Sequence, residues 1–211
     1  MEQQRTLYIL GAGGHGKVVA DAAKRMQRWQ AIYFLDDKLI NQTVLGIPVI
    51  AGIHDLSLSL PDHQQAEFIV AIGDNASRCH HLTRLKQQNL TIATIIHPTA
   101  TIAADVTVGV GTVIFAQVVI NASTKIGNGC ILNTACSVDH DCTIEDGTHL
   151  SPGARLAGGV HLHPQTWIGT NSTLINNVEV AAHSIIGAHS LVLDDLKTSG
   201  TYVGNPVRKI K

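Results

Sequence analysis

Aromatic residues are scarce in this chain: Phe, Trp and Tyr make up 4% of 211 residues that are 45% hydrophobic overall. A core with so few rings has to be filled by stacked aliphatic side chains. An excess of charge of one sign is also missing, the net charge at pH 7 being −1. No basic field therefore draws in nucleic acid or an anionic membrane. No apolar run is long enough to cross a bilayer, and the N-terminus lacks a charged-then-apolar signal pattern. Both absences lead us to expect a cytoplasmic protein without membrane insertion. There are only four cysteines. Cys130, Cys136 and Cys142 follow one another at intervals of six, which suits small apolar fillers of a repeat better than zinc ligands or disulfide partners. Cys79 has no spaced partner, and reduced thiols agree with the cytoplasm.

What is present is a period of six. From Ile102 through Val108, Ile114 and onward to Val192, all sixteen positions are Ile, Leu or Val, without insertion. The residue four further on is nearly always small, as at Thr112, Cys130, Ala154, Ser172 and Ser190. Neither a helix (period 3.6) nor an ordinary strand (period 2) repeats in sixes, whereas a β-helix of hexapeptides does. Each hexad lays down one short strand with its aliphatic residue inward, and three hexads close a triangular coil. Coils stack about 4.8 Å apart, so residues eighteen apart lie over one another. Sixteen hexads make a little over five coils.

Ahead of the repeat the pattern alternates between strands and helices. A buried strand from Arg5 to Leu10 runs into Gly11-Ala12-Gly13-Gly14-His15-Gly16. A helix follows with Val18, Val19, Ala22, Ala23 and Met26 on one side. Ala31 to Leu35 is a strand ending at Asp36-Asp37, and Leu45 to Gly52 is a loop and short strand. Glu67 to Ile72 is a further strand, closed by Gly73-Asp74-Asn75, with Asn75 as cap of a helix reaching about Gln88. Thr91 to Ile95 reads as the last strand, and His97-Pro98 marks the hand-over. Two domains result, an α/β unit over residues 1–96 and a β-helix with a C-terminal tail over 97–211. Alternation of this kind gives a parallel sheet with its ligand at the strand C-termini. Gly11, Gly13 and Gly16 satisfy the dinucleotide fingerprint, with Asp36 some twenty residues on. The glycines let backbone amides reach a phosphate at a helix N-terminus. The α/β unit holds only half of a full dinucleotide domain, which favours a nucleotide diphosphate over NAD.

His140 is the foremost candidate for chemistry. It stands in Ser137-Val138-Asp139-His140-Asp141-Cys142, two residues beyond an inward position, and so points away from the interior. Flanking carboxylates orient an imidazole and raise its basicity. Eighteen residues on lies Gly158-Gly159, which should leave a notch over the ring. Cys136 and Cys142 face inward and are poor nucleophiles. His161 and His163 occupy different hexad positions and need not face one point, and His183 and His189 fall on different faces, so no metal is expected. His54, His63, His80, His81 and His97 read as surface residues. Trp167 should stack above His149.

The combination resembles the PglD/NeuD-type sugar acetyltransferases, within the wider hexapeptide-repeat acyltransferases. The resemblance rests on Gly14-His15-Gly16, Asp36-Asp37, Gly73, Ile131-Leu132-Asn133-Thr134, the His140-acid pair, Thr148-His149, Gly153-Ala154 and Tyr202-Val203-Gly204-Asn205-Pro206, and it covers nearly the whole chain. It implies a Rossmann-like domain followed by a left-handed parallel β-helix, assembled as a homotrimer with active sites between neighbouring prisms. It implies acetyl-CoA as co-substrate and N-acetylation of a UDP-linked amino sugar. Residue by residue, it makes His140 the general base and Asp141 the acid that tunes it. It sets Gly13, Gly14 and His15 at the diphosphate, Asp36 and Asp37 near the uridine, and Gly73 beside the nucleotide. His149, Thr170, Ala188 and Gly158 are assigned to the acetyl-CoA. Asp141 replaces a Glu, Thr170 an Ile, Ala188 a Gly and Val207 an Ala of the family pattern. The rival functions are O-acetylation of sialic acid, a non-catalytic nucleotide-binding scaffold and an NAD-dependent enzyme. Arg208, Lys209 and Lys211 in the tail could meet CoA phosphates.

Overall fold

The computed structural model describes residues 5–55, 60 and 66–211, so the surface position expected for His63 lies outside the described residues. The chain divides into two units, Met1–Pro98 and Thr99–Lys211. Among the described residues no helix is long and apolar enough to cross a membrane.

The first unit runs β1 (Thr6–Leu10), α1 (Gly14–Met26), β2 (Ala31–Leu35), β3 (Thr43–Val44), β4 (Ile47–Ala51), β5 (Ala66–Val70), α2 (Asn75–Gln87) and β6 (Ile95–Ile96). The first five strands form one sheet in the order β3-β4-β2-β1-β5. All pair in parallel except β3, which makes an antiparallel hairpin with β4. Every residue of β1 is buried, as a central strand covered on both faces requires. The chain passes from β1 to β2 on one side and comes back to β5 on the other. The crevice at the C-terminal ends of β1 and β5 is therefore a topological switch point, where sheets of this kind bind ligands.

Three expectations need correction in this unit. Val18 is 44% exposed; the buried stripe of α1 is Gly16, Val19, Ala20, Ala22 and Ala23, whose three- and four-residue spacing leaves Val18 to the side. The cap of α2 is Asp74, whose carboxylate accepts the Ser77 N–H at 2.8 Å; Asn75 is already helical. Thr91 to Ile95 contributes only a bridge between Ile92 and Phe68, and regular strand begins at Ile95.

The second unit is a left-handed parallel β-helix. Its sixteen two-residue strands run from Thr101–Ile102 to Leu191–Val192 and stack into three flat faces. Ile102, Ile120, Val138, Leu156, Leu174 and Val192 line up on the first. Val108, Ile126, Ile144, Leu162 and Val180 form the second, and Ile114, Leu132, Leu150, Ile168 and Ile186 the third. From Ile114 onward these inward side chains are buried, each contributing about 1.5–3 kcal/mol of hydrophobic stabilisation.

At the corners the residue three past the inward position takes up positive φ, as at Asp141 (58°), Asn171 (54°) and Gly153 (70°). The small residue after it is buried and does more than fill space. Thr112 Oγ1 donates to the Gly127 carbonyl at 2.8 Å and accepts the Cys130 N–H at 3.0 Å. Thr124 likewise donates to the Asp139 carbonyl and accepts from Cys142. A hydroxyl thus joins coils where the strand ladder lapses, which keeps the buried backbone satisfied. Each flat face also leads into its own corner. His140 and Gly158 lie on the corner after the first face, and Pro152, Thr170 and Ala188 on the corner after the third.

Candidate active site

At the switch point of the α/β unit the four loop glycines divide into two kinds. A Cβ on Gly16 would lie 2.1 Å from the Gly11 carbonyl oxygen, and one on Gly11, whose φ is +105°, would lie 2.9 Å from that of Ala71. Packing therefore dictates these two. Gly13, which precedes α1, and Gly14, its first residue, have nothing within 4 Å of a built Cβ. Gly73 across the crevice is equally open. Three glycines facing open space beside a helix N-terminus are what close backbone approach to a phosphate requires. His15 is the second residue of the same helix, and burial followed by the Arg78 charge depresses its pKa to about 4. Its imidazole is neutral at physiological pH.

Asp36 reaches the loop but fixes it: Oδ2 accepts the Ala12 N–H at 2.9 Å and Oδ1 the Lys38 N–H at 3.0 Å. Asp37 turns elsewhere and accepts the Ile53 N–H at 2.8 Å, so the structure does not bring it to the glycine loop. Sequence reasoning passed over Arg78. It is 1% exposed and donates to the carbonyls of Ile72 and Gly73 and to Asn75 Oδ1, at 2.8–3.0 Å. One buried guanidinium thus shapes the loop opposite Gly13 and Gly14. Its signal was the spacing of one helical turn from Asn75. His81 and His97, expected at the surface, are buried. His81 packs between His54 and His80 within reach of Arg84.

On the β-helix, His140 stands at its corner with 62% of its side chain exposed. Its Nδ1 lies 2.7 Å from Asp141 Oδ2. Asp141 holds the left-handed φ that Asp tolerates better than most residues, and this folds its carboxylate back onto the ring. Asp139 Oδ1 accepts the His140 N–H and is held in turn by the Asn121 amide, both at 2.8 Å. The hydrogen bond that Nδ1–H donates to Asp141, then the Asp139 charge, raises the His140 pKa above its ordinary 6.5. Gly158 is explained by the ring rather than by a cofactor: a Cβ there would lie 2.6 Å from His140 Cε1. The imidazole itself fills the notch expected over it. Room for a substrate lies beside it, in a depression of about 340 Å³ lined by Asp139, His140, Asp141, Ala157, Gly158, Asn176 and Asn177.

The other residues assigned to acetyl-CoA lie elsewhere. His149 is on the third face, stacked at 5.5 Å and 4° on Trp167, whose indole N–H donates to Ser151 Oγ at 2.8 Å. Thr170 and Ala188 follow, one above the other and exposed, on the corner after that face. Within one chain His140 and this ridge occupy different corners. Lys209 in the tail is tied to the Ser199 carbonyl and Thr198 Oγ1; Arg208 and Lys211 are exposed. Burial pushes the Cys136 thiol up to about 12 and raises that of Cys142, so neither is a ready nucleophile. His161 and His163, against expectation, converge, with ring centroids 4.3 Å apart. They flank the inward Leu162, and the two-residue alternation of a strand sends both outward on one side.

Comparison with known proteins agrees over the whole length. The family described as the PglD N-terminal domain matches residues 6–85. UDP-N-acetylbacillosamine N-acetyltransferase of Bacillus subtilis (strain 168) is 33% identical over 117 residues, 53% of this chain and 52% of that protein. The match thus spans about half the length of that curated relative. The acetyltransferase domain of PglB from Neisseria gonorrhoeae FA1090 superposes with a TM-score of 0.94 at 34% identity, covering 98% of this chain and 100% of that one. The same domain is known in complex with acetyl coenzyme A. A histidine-to-alanine mutant of GDP-perosamine N-acetyl transferase from Caulobacter crescentus, in complex with CoA and GDP-perosamine, gives 0.91 at 32% identity, covering 98% and 97%. With an α/β unit of the PglD type and full-length likeness to acetyltransferases of two bacteria, the chain belongs to the PglD/NeuD-type sugar N-acetyltransferases.

Proposed function

We propose that this protein transfers the acetyl group of acetyl-CoA to the amino group of a UDP-linked 4-amino-4,6-dideoxy-type sugar. His140 is the general base and Asp141 the residue that orients and tunes it. The observation that carries this reading is the exposed His140–Asp141 pair at 2.7 Å beside an open depression. His140 Nε2, left free by the bond at Nδ1, takes a proton from the sugar amine as its nitrogen bonds to the thioester carbonyl carbon. The C–S bond then breaks and the thiolate of CoA leaves. Backbone N–H groups at the exposed corners are the donors available for the carbonyl oxygen. Direct transfer needs no acyl-enzyme, and the buried, protonated cysteines support that.

In this reading the α/β unit holds the nucleotide. Gly13, Gly14 and His15 contact the diphosphate, and Gly73 lies beside the nucleotide. Asp36, bonded to the Ala12 N–H, lies near the uridine, whereas Asp37, turned to the Ile53 N–H, has no part in this reading. A neutral His15 can donate to phosphate oxygen without competing for a proton. His149, Thr170 and Ala188 border the acetyl-CoA, and Gly158 makes room for the base. Because His140 and that ridge sit on different corners, a complete site takes one from each of two chains, which supports a homotrimer. Use of acetyl-CoA and a nucleotide sugar supports a cytoplasmic enzyme serving bacterial surface-glycan or protein glycosylation.

The UDP handle is supported by the B. subtilis relative; the C. crescentus relative was solved with GDP-perosamine. Initial rates of CoA release with UDP-4-amino-4,6-dideoxy sugars, GDP-perosamine and free sialic acid decide among them. A higher kcat/KM for the UDP-amino sugar is expected. Preference for the GDP-sugar would move the handle, and turnover of sialic acid alone would replace N- by O-acetylation. No turnover of any acceptor, with UDP still raising the melting temperature, would leave a nucleotide-binding scaffold.

A further inference from the structure

We propose that Glu145, His161 and His163, on the second face of the β-helix, form a binding site for a divalent transition-metal ion, with Glu179 supporting His163 from outside the ligand set. The proposal concerns that face alone and does not rest on the acetyl-transfer reading, whose base stands on a corner of the prism.

The lattice of the coil places these side chains together. His161 and His163 lie either side of inward Leu162. Glu179 stands over His161 in the next coil, and Glu145 follows Ile144 in the coil before, which pairs with that of Leu162. Four outward residues from three successive coils therefore make one compact patch. Glu145 Oε1 lies 2.6 Å from His161 Nε2 and 3.1 Å from His163 Nδ1. One donor atom from each of the three lies within 4.8 Å of the others. A tetrahedral ion with bonds of about 2.0–2.1 Å holds its ligand atoms roughly 3.3 Å apart. Glu145 Oε1 has to draw back from His161 Nε2 by about 0.7 Å, and from His163 Nδ1 by about 0.2 Å, to reach that size.

A second observation indicates which nitrogens are offered. His163 Nε2 lies 2.5 Å from Glu179 Oε1. A carboxylate on one imidazole nitrogen keeps the proton there and leaves the opposite lone pair, on Nδ1, for a metal. That lone pair faces Glu145. The half-buried side chains of Glu145, His161 and His163 leave the fourth position to solvent. Two imidazoles with one carboxylate suit zinc and its neighbours and are a poor set for magnesium or calcium. The ion would tie neighbouring coils together, so its effect is on stability.

The test uses the full chain without an affinity tag, stripped with a chelator and titrated with Co²⁺ and Zn²⁺. We expect one Co²⁺ per chain, visible absorption of four-coordinate cobalt, and a melting temperature that rises with Zn²⁺. His161→Gln and His163→Gln should each weaken binding at least tenfold, and Glu179→Gln by about tenfold; His183→Gln, at a corner, should bind as wild type. Melting curves of the stripped variants establish that they fold. Absence of saturable binding by the stripped wild-type chain would leave only histidine–glutamate ion pairs and overturn the site. Unchanged binding by the double variant at positions 161 and 163 would put the ion on other groups and overturn it equally.

Discussion

The two halves of this molecule build binding surfaces in opposite ways. In the α/β unit the surface is backbone. Gly13, Gly14 and Gly73 leave room for a ligand, and buried polar groups, Arg78 foremost, keep their loops in shape. In the β-helix the surface is side chains hung on a regular lattice, where Ile, Leu and Val inside carry the stability and His140 outside carries none of it. On the proposed reading, chemistry on the lattice is therefore separable from folding, while recognition at the strand ends is not.

The largest effect that could break this contrast is at His140. His140→Ala should lower kcat/KM by about 10²–10⁴-fold, the usual share of a general base, with the melting temperature nearly unchanged because the side chain is exposed. A drop in melting temperature of the size seen for a core truncation would erase the distinction. Arg78→Met is the counterpart. Stranding the Ile72 and Gly73 carbonyls should cost about 2–4 kcal/mol in urea unfolding and raise KM for the nucleotide sugar. Gly158→Ala tests the lattice at closer range. The added methyl displaces the imidazole, so activity should fall about tenfold to a hundredfold with little change in stability. The smallest effect belongs to Asp141→Asn. Asp141 is the first cause of the raised His140 pKa, so the wild-type acid limb of kcat/KM should lie above 6.5. The variant's limb should move to lower pH, with a plateau lower by about tenfold. An unmoved limb would detach the carboxylate from the base.

How far the sequence could be read follows the same division. The solenoid was legible coil by coil because one period controls both burial and vertical register: Ile102 to Val192 fall where stepping by six puts them, and His140 does stand over Gly158. What went unread there was a shorter period inside the longer one. Counting hexad positions separated His161 from His163, although a strand sends both flanks of Leu162 to the same side. In the α/β unit the elements were legible but their ends were not. Asp74 and Asn75 are both good caps, and only the backbone decides that Asp74 takes the Ser77 N–H. Arg78 was passed over because arginine on a helix is normally exposed; its spacing from Asn75 hinted at one contact, but its burial depends on acceptors that converge only in the folded loop. The assignment of Gly13, Gly14 and Gly73 to a ligand gains a physical basis from the open space before them, whereas Asp37 loses contact with that crevice.

The claim on which the account rests is that the base of one chain serves the acetyl-CoA ridge of another. Subunit complementation tests it most directly. His140→Ala chains and Ala188→Trp chains, each inactive alone, are mixed after mild dissociation and reassembled. A randomly reassembled equal mixture should regain about a quarter of wild-type activity, because each mixed trimer then holds one site that pairs an intact His140 with an intact ridge. A mixture that forms mixed assemblies and stays inactive would contradict the account.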